Sequence, residues 1–123
     1  MGVDATFDFG SDPFGHVRII EMAHELRLVA DKGDHRALSL EASVLLEAFV
    51  HHVESERHLV LRLPPITARL VENGQQRVVD RLVSLVLSAD LAEEPCPCVG
   101  LADEVATLVE LQIVSEERDH FDL

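Results

Sequence analysis

Apolar residues recur at three- and four-residue spacing along most of the chain, the period of a helix that buries one face. One stripe reads His16, Ile19, Ala23, Leu26 and Ala30, and a second reads Leu38, Ala42, Leu45, Phe49, His52, Glu56, Leu59 and Leu63. A third reads Ala68, Val71, Gln75, Val78, Leu82 and Leu85, and a fourth Leu101, Val105, Leu108, Gln112 and Glu116. Local signals bound these stripes. Asp12-Pro13 offers an N-cap acid followed by proline at a first helical position, and Gly33 offers a stop. Pro64-Pro65 must end any helix that precedes it. The pattern predicts an arm over residues 1–11 and four helices. These cover residues 12–31, Asp34 or His35 to just before Pro64, the prolines to about Ser88, and about 100–120. Two short connections and one longer one make this an all-α, up-down-up-down antiparallel four-helix bundle over residues 12–123.

Polar residues interrupt each stripe, and the interruptions are level with one another. In antiparallel neighbours, residues equally far from the connecting loop lie at the same height, at about 1.5 Å per residue. His16 lies 18 residues before Asp34 and His52 lies 18 after it. Gln75 lies 11 residues after Pro64 and His52 lies 12 before it. Gln75 and Gln112 are similarly placed about the third connection, so His16, His52, Gln75 and Gln112 share one level of the core. Glu56 and Glu116 follow His52 and Gln112 by one turn. Facing carboxylates in a core need a cation, a protonated histidine or protons of their own.

Composition narrows the functional classes. Hydrophobic residues make up 47 %, with no Trp or Tyr, which suits a helical domain. A formal net charge of -13 with no basic run argues against nucleic acid and against anionic membrane surfaces. No apolar run is long enough to span a bilayer, and "MGVDATFDFGSDPFG" lacks the apolar core of a secretory signal. A cytoplasmic protein is expected. The only cysteines, Cys96 and Cys98, stand together in "EEPCPC" without a matching second pair, and read as two thiols in a Pro-rich loop. His51 and His58 share a face with Glu47 and Glu54 and should be solvated, while His24 flanks the first stripe at its edge. His120 and Glu117 are alternative ligands one turn or one residue beyond Glu116, and Gln76 is the register alternative to Gln75.

With "DPFGHVRII", "HVESERHLVLRLPP", "VENGQQRVVDRL" and "VELQIVSEERDHF", the chain resembles the hemerythrin-like, HHE cation-binding family over residues 12–121. The resemblance implies metal ligation by His16, His52, Glu56 and Glu116. It places Gln75 and Gln112 where the family carries two further histidines of the cofactor-binding set. It also implies a non-haem iron centre, mononuclear or dinuclear, that binds or senses dioxygen or nitric oxide or handles peroxide. Imidazole is a far better iron ligand than a carboxamide, so a reversible oxygen carrier is not expected. The residues leave a second class open: a metal-free hydrogen-bonded network in a non-enzymatic bundle that binds a protein partner or forms a homodimer.

Overall fold

The computed structural model describes residues 15–91 and 97–116 of the protein. Four helices make up nearly all of this: α1 (His16–Asp31), α2 (His35–Val60), α3 (Pro65–Leu91) and α4 (Pro97–Ser115). The expected arm and the Asp12-Pro13 start signal lie outside the described residues, and α1 begins at His16 after Gly15.

The first connection is set by local chemistry. Gly33 adopts a φ of 75°, the left-handed region open to glycine, while the Lys32 and Gly33 amides close the α1 terminus on the Val29 and Ala30 carbonyls. Asp34 then caps α2, its carboxylate accepting from the Arg36 and Ala37 amides at 3.1 Å each. The second connection follows from Pro64-Pro65, with Pro65 the first residue of α3. Pro97 opens α4 in the same way, so this helix starts a few residues earlier than the stripe alone suggests.

Each helix packs against both of its sequence neighbours, and α4 closes the ring against α1. Side-chain pairs give the directions. Arg27 of α1 reaches Asp103, Thr107 and Glu110 of α4, whereas His16 meets Glu56, which lies with Glu116 at the other end of α4. Along α3 and α4, Gln75 pairs with Glu116 and Arg81 with Glu104. Residue numbers rise on one helix as they fall on the other, so these neighbours are antiparallel. The three-residue and four-residue connections reverse the chain at α1–α2 and α2–α3.

The core is a column of Ile19, Ala23, Leu26, Leu45, Phe49, Leu82, Leu85, Val105, Val109 and Ile113. Enclosing a Leu, Val, Ile or Phe side chain contributes roughly 1.5–3 kcal/mol, which makes this column the main stabilising element. The α1 stripe is buried as read from the sequence. On α2 the last buried position is Val60 rather than Leu59, and on α3 the stripe runs from Val71 to Ala89, with Ala68 half-buried. On α4 the buried face is Ala102, Val105, Ala106, Val109, Ile113 and Glu116, while Leu101, Leu108 and Gln112 sit at its edges. The α4 sequence is apolar on two adjacent faces, and the smaller Ala102 and Ala106 face the centre because they let the helix approach its neighbours. No described helix is long and apolar enough to cross a membrane.

Candidate metal centre

Five polar side chains are enclosed at the end of the bundle where α1 and α3 begin and where α2 and α4 finish: His16, His52, Glu56, Gln75 and Glu116. Both glutamates are 0 % exposed, and the two imidazoles only 4 % and 3 %. Each is delivered by the same helical period that builds the core below. His16 continues the line of Ile19 and Ala23. His52 and Glu56 continue that of Leu45 and Phe49, and Gln75 that of Val78 and Leu82. Glu116 follows Ile113 on the same buried face.

The imidazoles and carboxylates converge. His16 Nε2 lies 2.8 Å from Glu56 Oε2, and His52 Nε2 lies 2.8 Å from Glu56 Oε1 and 3.0 Å from Glu116 Oε1. Gln112 donates from Nε2 to Glu116 Oε2 at 2.6 Å, and Gln75 donates from Nε2 to Glu56 Oε1 at 3.4 Å and to Glu116 Oε2 at 3.3 Å. The two rings meet edge to face at 4.9 Å, and Phe49 tilts against His52 at 5.4 Å, which limits the freedom of both rings.

The two carboxylates sit in different electrostatic surroundings. Burial alone would push the Glu56 carboxyl up, but hydrogen bonds from His16 and His52 outweigh it and hold the group down at about 2. Burial also pushes the Glu116 carboxyl up, and there the charge of neighbouring Glu56 adds to the rise. Glu56 is therefore the anion of the pair, and Glu116 the carboxyl that more readily keeps a proton. A carboxylate can only accept hydrogen bonds, so His16 Nε2 carries the proton that faces Glu56, and the proton on His52 Nε2 lies between Glu56 and Glu116.

One ligand atom from each of His16, His52, Glu56 and Glu116 lies within 4.8 Å of the other three, so this cluster could hold a metal ion. Metal–nitrogen and metal–oxygen bonds of about 2.0–2.2 Å place neighbouring ligands roughly 3 Å apart, close to the separations in the cluster. A cation would take the place of the protons that now bridge imidazole and carboxylate. Two imidazole nitrogens with carboxylate oxygens form a donor set suited to zinc and to non-haem iron.

Other sequence candidates are placed elsewhere. His24, His51 and His58 are exposed, and Gln76 is exposed and bonds Asp80 at 2.8 Å, which fixes Gln75 as the inward residue. Gln112 is half-buried and supports Glu116 from the edge of the layer. Glu117, His120 and Cys96 lie outside the described residues, and Cys98 falls in the first turn of α4. Gly74, a glycine that the third helix tolerates at some cost, also has a packing role. A Cβ there would overlap the Gln112 carboxamide, so glycine leaves the space in which Gln112 lies against α3 to reach Glu116. The available signal was a glycine inside a helix, one residue from Gln75, at a cost of about 1 kcal/mol relative to alanine.

Comparison of the chain with protein-family models, with curated proteins and with solved structures finds no match. The functional reading therefore rests on the geometry of this cluster.

Proposed function

We propose that this bundle is a hemerythrin-like metal-binding protein whose cluster takes one divalent transition-metal ion, iron in the first instance, for interaction with dioxygen, nitric oxide or peroxide. The observation that carries the proposal is the convergence of four enclosed ligand residues from three helices on one point. Charge favours a single ion. Two carboxylates balance one divalent cation, whereas a second would leave two uncompensated positive charges among neutral side chains in a fully enclosed layer. The two glutamines fit this reading. Each presents a carboxamide donor to a carboxylate oxygen, and so orients the ligand without adding charge.

Bound there, the metal would supply Lewis-acid and redox chemistry to a small molecule. The chain's own contributions are orientation and exclusion of water. Phe49 and the rows of Leu and Val below seal one side, the His16 and His52 rings brace each other, and Gln112 anchors Glu116. Ligand binding requires release of the Nε2 protons, so affinity should fall as the medium becomes more acidic.

Metal analysis tests this directly. Protein produced in iron-rich medium is expected to retain about one equivalent of iron, and the ferrous form to change its absorption when nitric oxide is added. His52→Ala should lose both properties. Retention below about a tenth of an equivalent would refute the proposal.

A second reading has its own observation. Among the described residues, no side-chain atom of the cluster is left buried without a hydrogen-bond partner. The layer is satisfied as a metal-free network, which suits a bundle serving as a protein-interaction or regulatory module. On that reading His52→Ala costs stability alone, and metal content stays near zero in both forms.

A further inference from the structure

The two glutamines of the layer are held in different ways. Gln112 bonds Glu116 at 2.6 Å and fills the space beside Gly74, which wedges it into the α3–α4 seam. Gln75 is enclosed, at 4 % exposure, yet its two contacts to the carboxylates are 3.3 and 3.4 Å, at the weak end of hydrogen bonding. Beyond Gln75 lies an open groove of about 290 Å³ between α2 and α3, walled by Val50, Val53 and Val79 with Glu54 and Glu72 at its rim. Gln75 alone belongs both to the lining of this groove and to the polar layer. A second groove, between α1 and α2, includes Arg18 and His51 and touches no residue of the layer.

We infer that the α2–α3 groove is the route by which a divalent cation enters and leaves the cluster, and that Gln75 is its gate. The inference rests on the metal-binding function proposed above. Rotation of Gln75 into the groove breaks only two weak hydrogen bonds, and the groove supplies the volume the side chain needs. The same movement opens a path to Glu56 and Glu116. The carboxamide oxygen can then serve as a passing ligand for an ion that has shed part of its water. Glu72 and Glu54, the latter shared with Arg57 at 3.0 Å, bias the entrance toward cations over anions.

A gate changes the rates of entry and exit together, whereas a ligand changes affinity, and this difference provides the test. Cobalt(II) uptake by the metal-free full-length protein would be followed by stopped-flow absorption, and its release by transfer to a chelator. Gln75→Ala is expected to raise both rate constants by at least about fivefold, the factor for removing weak hydrogen bonds, whereas loss of its support for the carboxylates alone would speed release without speeding uptake. Val50→Trp, at a half-exposed wall position, should lower both by a similar factor. Equal rates in wild type and Gln75→Ala would overturn the inference. So would a larger acceleration by Gly74→Ala, which displaces Gln112 and would mark the α3–α4 seam as the route. Failure of every form to take up cobalt(II) would overturn the metal-binding reading and the inference with it.

Discussion

The asymmetry of the two buried glutamates can be tested by the same isosteric change at each position. Glu56→Gln replaces one acceptor oxygen by an NH2 group in a setting where His16, His52 and Gln75 all present donors. His16 Nε2 faces Oε2, and His52 Nε2 and Gln75 Nε2 face Oε1. Whichever way the amide turns, it meets an imidazole N–H. A carboxyl held at about 2 in place of its ordinary 4.5 has its ionised form favoured by of the order of 3 kcal/mol, and breaking a buried charged pair commonly costs about 3–5 kcal/mol. Glu56→Gln in metal-free protein is therefore expected to lower unfolding stability by about 3 kcal/mol. Glu116 differs because its neutral form is the one its surroundings favour. Glu116→Gln should cost about 1 kcal/mol or less, with Gln112 turning its amide to accommodate the new donor. Urea unfolding of both variants and wild type with chelator present, at matched slope, measures the difference. Equal losses, or a larger loss for Glu116→Gln, would refute the assignment of charge within the pair. Repeated with metal bound, the two variants should converge, since each removes one ligand.

The pH dependence of metal-free stability follows from the same pair. Glu56 has a lowered folded value, so its contribution is present above its ordinary 4.5 and is lost as pH falls toward about 2. Glu116 has a raised value, so its contribution is present below 4.5 and is lost as pH rises through its folded value. Thermal unfolding with chelator should therefore show a maximum in mildly acidic buffer, and bound metal should move that maximum upward in pH. Gly74→Ala gains about 1 kcal/mol of helix propensity but displaces the Gln112 carboxamide, so its net effect should be near zero. In a Gln112→Ala background the same change should stabilise by about 1 kcal/mol, and a double-mutant cycle by urea unfolding reads the coupling. Phe49→Ala, which opens a cavity in the core and removes the ring beside His52, should cost about 3–5 kcal/mol by the same measurement.

The sequence by itself determined the four helices and nearly all of the buried polar cluster. Buried faces repeat at 3.6 residues. Asp34, Gly33 and Pro64-Pro65 act through bonds within a few residues of themselves, so their effects are readable locally. Loop lengths then put His16, His52, Gln75 and Gln112 at one level, with Glu56 and Glu116 one turn along. Three features depended on the tertiary structure. The face that α4 buries was undetermined because two of its faces are apolar, and only close packing selects Ala102 and Ala106 over Leu101 and Leu108. That choice turns Gln112 to the edge of the layer, where its carboxamide occupies the space that Gly74 leaves open. The division of charge between Glu56 and Glu116 was equally invisible, since it depends on which imidazole nitrogens lie within hydrogen-bond reach of which oxygens. Two chemically identical side chains acquire different proton affinities from neighbours that are 40 and 64 positions away in the chain.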